Sequence, residues 1–251
     1  MGESRSGKRT GAAPQGSPPG PVERVDWPRT LEAHAWTDGP RPRLHGYDLH
    51  DDLARHYGFA ELVLTSLGGT APSREQGRVF ETVLSYLMPS TAAEAPAHCA
   101  ILARTFMARW PAVVASGATV LAEQTEALLD EQAALLAWLD APTESLPACA
   151  RCDDEPERAA VGRLRVLLGE AAPAIGILAL DPGLLPALLA AAHHCGLRDR
   201  ERLASALVLA RLPAVMAEAL PRASGELRRY PMNTPDFVYR PEAQEPPPDD
   251  H

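Results

Sequence analysis

The sequence predicts an all-α protein, and three observations carry that prediction. Hydrophobic residues make up 45% of the 251-residue chain but aromatics only 5%, so the apolar content is mainly Ala, Leu and Val. Ala and Leu favour helices, whereas strands draw on β-branched and aromatic side chains. Apolar positions recur at helical spacing in stretch after stretch. Proline and glycine fall between those stretches, where helix ends are expected.

The elements follow in chain order. Residues 1–24 are Gly, Pro, Ser and Arg with almost nothing to bury, a composition expected to be disordered. Trp27 and Trp36 then tether the next stretch to the surface. Asp48 to Tyr57 reads as a short polar helix. Phe59 to Leu67 is apolar and stops at Gly68-Gly69. Ser73 with Gln76 three residues on is a capping box, and Val79, Phe80, Val83, Leu84 and Leu87 keep helical spacing until Pro89. Ser90 or Thr91 caps a helix running to about Arg109. Pro111 occupies the first turn of one long helix, Ala112 to Leu139, with Val113, Leu121, Leu128 and Leu135 on its stripe. Pro142, Pro147, Pro156 and the acidic run Asp153-Asp154-Glu155 make 140–156 a loop. Glu157 to Gly169 is helical again. Asp181-Pro182 reads as an N-cap and first helical residue of a helix ending near Gly196. Asp199 caps the last helix, kinked or broken near Pro213. A second tail, 241–251, carries Pro246, Pro247 and Pro248 in a row and is acidic. About nine helices and no clear strand are expected, in one or more helical domains over 25–240.

Composition excludes several functions. The net charge is -9 and the pI about 5.4, so nucleic acid is not an expected partner. Lys8 is the sole lysine among 24 basic residues and lies in the N-terminal tail, which removes Schiff-base and phosphate-loop lysines. This arginine bias, with 25 prolines, suggests a GC-rich bacterial genome. Four cysteines are too few for a disulfide scaffold. Met1 to Gly20 has no apolar signal-peptide core, and no window approaches the ~18 apolar residues of a membrane span. A cytoplasmic protein with reduced thiols and no membrane partner is expected.

Cys149-Ala150-Arg151-Cys152 is a C-x-x-C that reads as half a zinc site, with His193, His194 and Cys195, or as two reduced thiols. No second pair follows at zinc-ligand spacing, so no metal and no cofactor are expected. His45, His50 and His56 mix with Asp48, Asp51 and Asp52 on a solvated surface. His98, inside an apolar helix, reads as a core histidine.

Two stretches say more. The first is His45-Gly46-Tyr47-Asp48-Leu49, then Phe59-Ala60-Glu61-Leu62, then Leu67-Gly68-Gly69-Thr70-Ala71-Pro72-Ser73. The second is Asp181-Pro182-Gly183 before an Ala/Leu helix, Gly196-Leu197, the helix Ala210-Arg211-Leu212-Pro213-Ala214-Val215-Met216-Ala217-Glu218, and finally Arg228-Arg229-Tyr230-Pro231 and Tyr239. In order and spacing they resemble the citrate synthase and citryl-CoA lyase superfamily, in its short lyase-like form, over roughly residues 43–240.

That resemblance implies a citrate synthase-like multi-helical fold, a homodimer, and chemistry on an acyl-CoA and a 2-oxo acid. It places Asp181 at the family's base, Arg211 at a carboxylate-binding arginine, Arg229 at the closing arginine and His98 near the substrate-binding helix. The family's "G-P-L-H-G-G-A" falls on Leu121-Ala122-Glu123-Gln124-Thr125-Glu126-Ala127-Leu128, with Glu126 about where the enol-stabilising histidine belongs. Its "G-F-G-H" loop falls on Cys149–Glu155 without a histidine. Asp181 therefore reads as catalytic base or as a plain N-cap, and Arg211 as a carboxylate ligand or an ion-pair partner. Two functions follow. One is an enzyme with altered or lost activity that binds an acyl-CoA and a 2-oxo acid or their adduct. The other is a non-catalytic helical dimer for binding, assembly or regulation.

Overall fold

In a computed structural model, residues 33–220 are described. The two tails, Trp27, Arg229, Tyr230 and Tyr239 lie outside that range. The described residues form nine α-helices and three two-residue strands.

The strands were not expected. β1 (Ala35–Trp36), β2 (Arg43–Leu44) and β3 (Tyr47–Asp48) pair antiparallel in that order. His45 and Gly46 join β2 to β3 with φ of 48° and 86°. Two successive positive φ angles suit a tight two-residue hairpin turn. Asp48 then caps the wide turn Leu49–Leu53, its carboxylate accepting from the Asp51 and His50 N–H groups at 2.8 and 3.0 Å. Those amide bonds, the Asp51 one first, hold the Asp48 carboxyl below the ordinary range. α1 (Ala54–His56) completes the turn.

The helix signals held best where they were local. α2 (Phe59–Gly68) stops at Gly69, whose φ of 78° gives the left-handed cap. α3 (Arg74–Leu87) opens on the Ser73–Gln76 capping box, with bonds of 3.1 and 2.9 Å. α4 (Ala95–Thr105) starts later than expected, at Glu94 rather than Ser90 or Thr91. α5 (Trp110–Glu131) and α6 (Ala133–Asp140) replace the single long helix. The break falls at Gln132, whose φ and ψ of -95° and 9° leave the helical range. It lets Leu135 reach the same core as Leu129. α7 (Glu155–Leu168) begins at Asp154, so Pro156 lies inside its first turn rather than in a loop. Pro96 and Pro111 stand likewise in first turns, where a missing N–H has no helical partner anyway. α8 (Leu184–His194) and α9 (Arg200–Ala219) complete the chain, and α9 runs on through Pro213.

Two apolar cores organise these helices. The larger takes Val79, Phe80, Leu129, Leu164, Leu188 and Leu203 from α3, α5, α7, α8 and α9. The smaller joins Ala97 and Ala100 of α4 to Val113 and Leu121 of α5 and to Val215 and Ala219 of α9. α5 and α9 therefore serve both cores, one half of each helix per core. No described helix is long and apolar enough to cross a membrane.

Candidate functional site

Asp181 is not an N-cap. It has φ 49° and ψ 60°, and closes the 3₁₀ turn Gly176–Leu180, while Gly183 takes the cap position of α8. Its carboxylate accepts from Arg165 at 2.9 Å, and the same guanidinium donates to the Leu178 carbonyl. The Asp181 side chain is 76% exposed. The capping oxygen for α8 comes instead from Glu157, which accepts the Leu184 N–H at 2.7 Å. The other Glu157 oxygen accepts the Cys152 thiol at 3.0 Å. That bond, with burial second, pushes the Cys152 thiol up, against thiolate nucleophilicity. Glu157 thus ties the C-x-x-C loop to the start of α8, a role sequence reasoning missed. The Gly183 N–H donates to the Ala150 carbonyl at 2.9 Å and reinforces the join.

Glu126 is tied to the start of α9. Arg200 donates to its carboxylate at 2.9 Å and to its backbone carbonyl at 2.8 Å, and reaches Asp130 at 2.8 Å. The Glu126 bond above all holds the Arg200 guanidinium charged more firmly still. This cluster fastens the first turn of α9 to the last turns of α5.

Arg211 is the most enclosed of the three, with its side chain 14% exposed. It pairs with Glu94, itself 29% exposed. Glu94 precedes α4 and also accepts the Thr91 N–H at 3.0 Å. The pair pins the middle of α9 to the start of α4. His98 is exposed on α4, which corrects its reading as a core residue. None of Asp181, Glu126, Arg211 and His98 bonds to another of the four, and Arg229 lies outside the described residues.

Among the described residues, no three His, Cys, Asp or Glu side chains converge as a metal-holding group. The four cysteines are unbridged. His193 bonds Asp140 at 3.1 Å, linking the ends of α8 and α6.

A well-formed cavity lies elsewhere. A groove of about 660 Å³ runs between the start of α2, one face of α3 and the middle of α9. Arg74, Arg78, Glu81, Leu84 and Met88 line it along α3, and Leu209, Ala210 and Pro213 along α9. At its α2 end, Glu61 accepts the Gly58 N–H at 2.7 Å. Glu61 lies so close on α3 that a Cβ at Gly77 would sit 2.4 Å from its Cγ. Glycine at 77 is what admits that carboxylate. None of Asp181, Glu126, Arg211 and His98 lines this groove.

No protein-family model matches the chain, and no curated protein sequence matches it. Solved structures do. Citryl-CoA lyase from Hydrogenobacter thermophilus superposes with a TM-score of 0.54 at 16% identity, over 87% of this chain and 98% of that one. ATP citrate lyase from Methanothrix soehngenii, in complex with citrate and coenzyme A, gives a TM-score of 0.50 at 14% identity. That match covers 88% of this chain and 44% of the longer one. The fold is therefore citryl-CoA lyase-like.

Proposed function

We propose that this chain is a citryl-CoA lyase-like protein that has lost carbon–carbon bond chemistry, and that its fold serves binding or assembly. One observation supports the reading: the charges of Asp181, Glu126 and Arg211 are each paired within the chain, and in three different places. Arg165 holds Asp181, Arg200 holds Glu126, and Glu94 holds Arg211. A base that removes a proton beside a thioester needs an oxygen aimed at the reacting carbon. A forming enolate needs preorganised donors, and Glu126 offers an acceptor. Glu94 accepts from one nitrogen of Arg211, and its negative charge opposes a second carboxylate there.

A homodimer belongs to the same proposal. Leu102, Phe106, Met107 and Trp110 cluster around the α4–α5 corner and are 41%, 63%, 75% and 39% exposed. A two-fold interface is the commonest way to cover such a surface. A monodisperse monomer in light scattering at micromolar concentration contradicts it. A cytoplasmic bacterial protein is part of the same proposal.

A second reading keeps an acyl-CoA and a 2-oxo acid, or their adduct, as ligands on altered partners. The ATP citrate lyase neighbour, a complex with citrate and coenzyme A, motivates it. Thermal-shift measurements with CoA, acetyl-CoA, citrate and oxaloacetate separate the two, since a ligand of the native state raises its melting temperature. The first reading expects no shift with citrate or oxaloacetate. A saturable shift with either, abolished by Arg211→Ala, selects the second.

A further inference from the structure

We propose that the groove between α2, α3 and α9 binds an amphipathic organic acid, its anionic head on Arg74 and Arg78 and its apolar tail along Leu84, Met88 and Leu209. The site is separate from Asp181, Glu126 and Arg211, and stands or falls independently of the chemistry discussed above.

The arginine end carries no ion pair, although Glu61 and Glu81 share the groove lining. Arg74 is the first residue of α3 and Arg78 follows one turn later. The start of a helix carries partial positive charge, so a cation there opposes the dipole. Two like charges four residues apart on a helix also repel. Among the described residues neither guanidinium lies within ion-pair distance of a carboxylate, although six other arginines do. Glu61 shares the groove but is turned onto the Gly58 N–H. An anion between Arg74 and Arg78 relieves both repulsions, and guanidinium pairs suit the planar oxygens of a carboxylate.

The rest of the groove defines the tail. Arg74, Arg78, Glu81, Leu84 and Met88 follow one another along a single lining face of α3. By helical rise that face is roughly 21 Å long. Its far end is apolar and is joined by Leu209 and Pro213 from α9. Met88 is 44% exposed there, and methionine adapts to irregular apolar ligands. Glu81 divides the two ends. It repels an anion placed beyond Arg78 and so sets the direction in which an acid enters. The volume, about 660 Å³, falls in the usual range of ligand pockets, about 300–1,000 Å³.

The test is isothermal calorimetry on the full chain with octanoate, octanol and inorganic phosphate. Octanoate should bind saturably at millimolar concentration or below. Octanol, without the charge, and phosphate, without the tail, should each bind at least roughly tenfold more weakly, the ratio expected when one of two cooperating contacts is removed. Arg74→Ala with Arg78→Ala should weaken octanoate by a similar factor while leaving the circular dichroism spectrum and melting temperature near wild type. Ser85→Trp, which fills the groove from an exposed position on its lining, should block octanoate without touching the arginines. No saturable octanoate heat, equal binding by the double variant, or phosphate binding as tightly as octanoate would each overturn the proposal.

Discussion

Gly117 offers a sharp test of how the smaller core is built. It lies in α5 where a Cβ would meet Met216 Cε at 2.7 Å, Val215 Cγ1 at 3.1 Å and Ala100 Cβ at 3.2 Å. The Met216 methyl can swing away. Val215 and Ala100 have no such freedom, so α4 and α9 must shift to admit the methyl. Overpacking of this kind costs about 1–3 kcal/mol. Alanine returns about 1 kcal/mol through helix propensity. Gly117→Ala should therefore lose between roughly 0 and 2 kcal/mol. Gly162 in α7 is the control, because a Cβ there meets nothing within 4 Å. Gly162→Ala should gain about 0.4–1 kcal/mol. Urea denaturation of both variants and wild type reads the contrast, with thermal melts as a second probe; each kcal/mol moves the midpoint by about 2–4 °C in a domain of this size. If Gly117→Ala stabilised the protein as much as Gly162→Ala, α4, α5 and α9 would not approach as described.

Two further outcomes follow from the ionisable groups. Arg211→Ala should destabilise the fold by about 1–3 kcal/mol, because it leaves the Glu94 carboxylate enclosed without its partner; a double-mutant cycle with Glu94→Gln should show coupling, whereas strict additivity would deny the pair. Burial, with Glu75 adding to it, pushes the Cys195 thiol from 9.0 up to about 12. The unfolded thiol ionises first, so the folded state holds the extra proton and stability falls as pH rises from 9.0 towards 12, by at most about 1.4 kcal/mol per pH unit. Cys195→Ala should lack that component of the slope when urea midpoints are compared between pH 8 and 10.5.

Much of the fold was legible because its signals are local. Ser73 with Gln76, Gly69 and Asp199 each act within a few residues of the helix end they define, and all appear as read. The strands were hidden because each has two residues, too few for an alternating pattern to show. Asp181 was misread because the group that caps α8 is Glu157, on a different helix. Glu126 and Arg211 took their roles from Arg200 and Glu94, partners far away in sequence that only the folded chain brings within reach. The groove was missed for another reason. Its α3 face mixes Arg74, Arg78 and Glu81 with Leu84 and Met88, so it contributes to neither an apolar stripe nor a charged one. The available signal was the arginine pair one turn apart at a helix start, where the dipole disfavours it.

The proposed function holds that the charges of Asp181, Glu126 and Arg211, paired within the chain, have ended carbon–carbon bond chemistry. An oxaloacetate assay measures it most directly, following oxaloacetate consumed with acetyl-CoA in one direction and oxaloacetate released from citryl-CoA in the other. Wild type should give no turnover above the uncatalysed rate. Glu126→His should not restore it, because Arg165 still holds Asp181 and Glu94 still holds Arg211. Robust wild-type turnover that Asp181→Ala abolishes would contradict the account, since it would require the Asp181 carboxylate to leave Arg165 and act as the base.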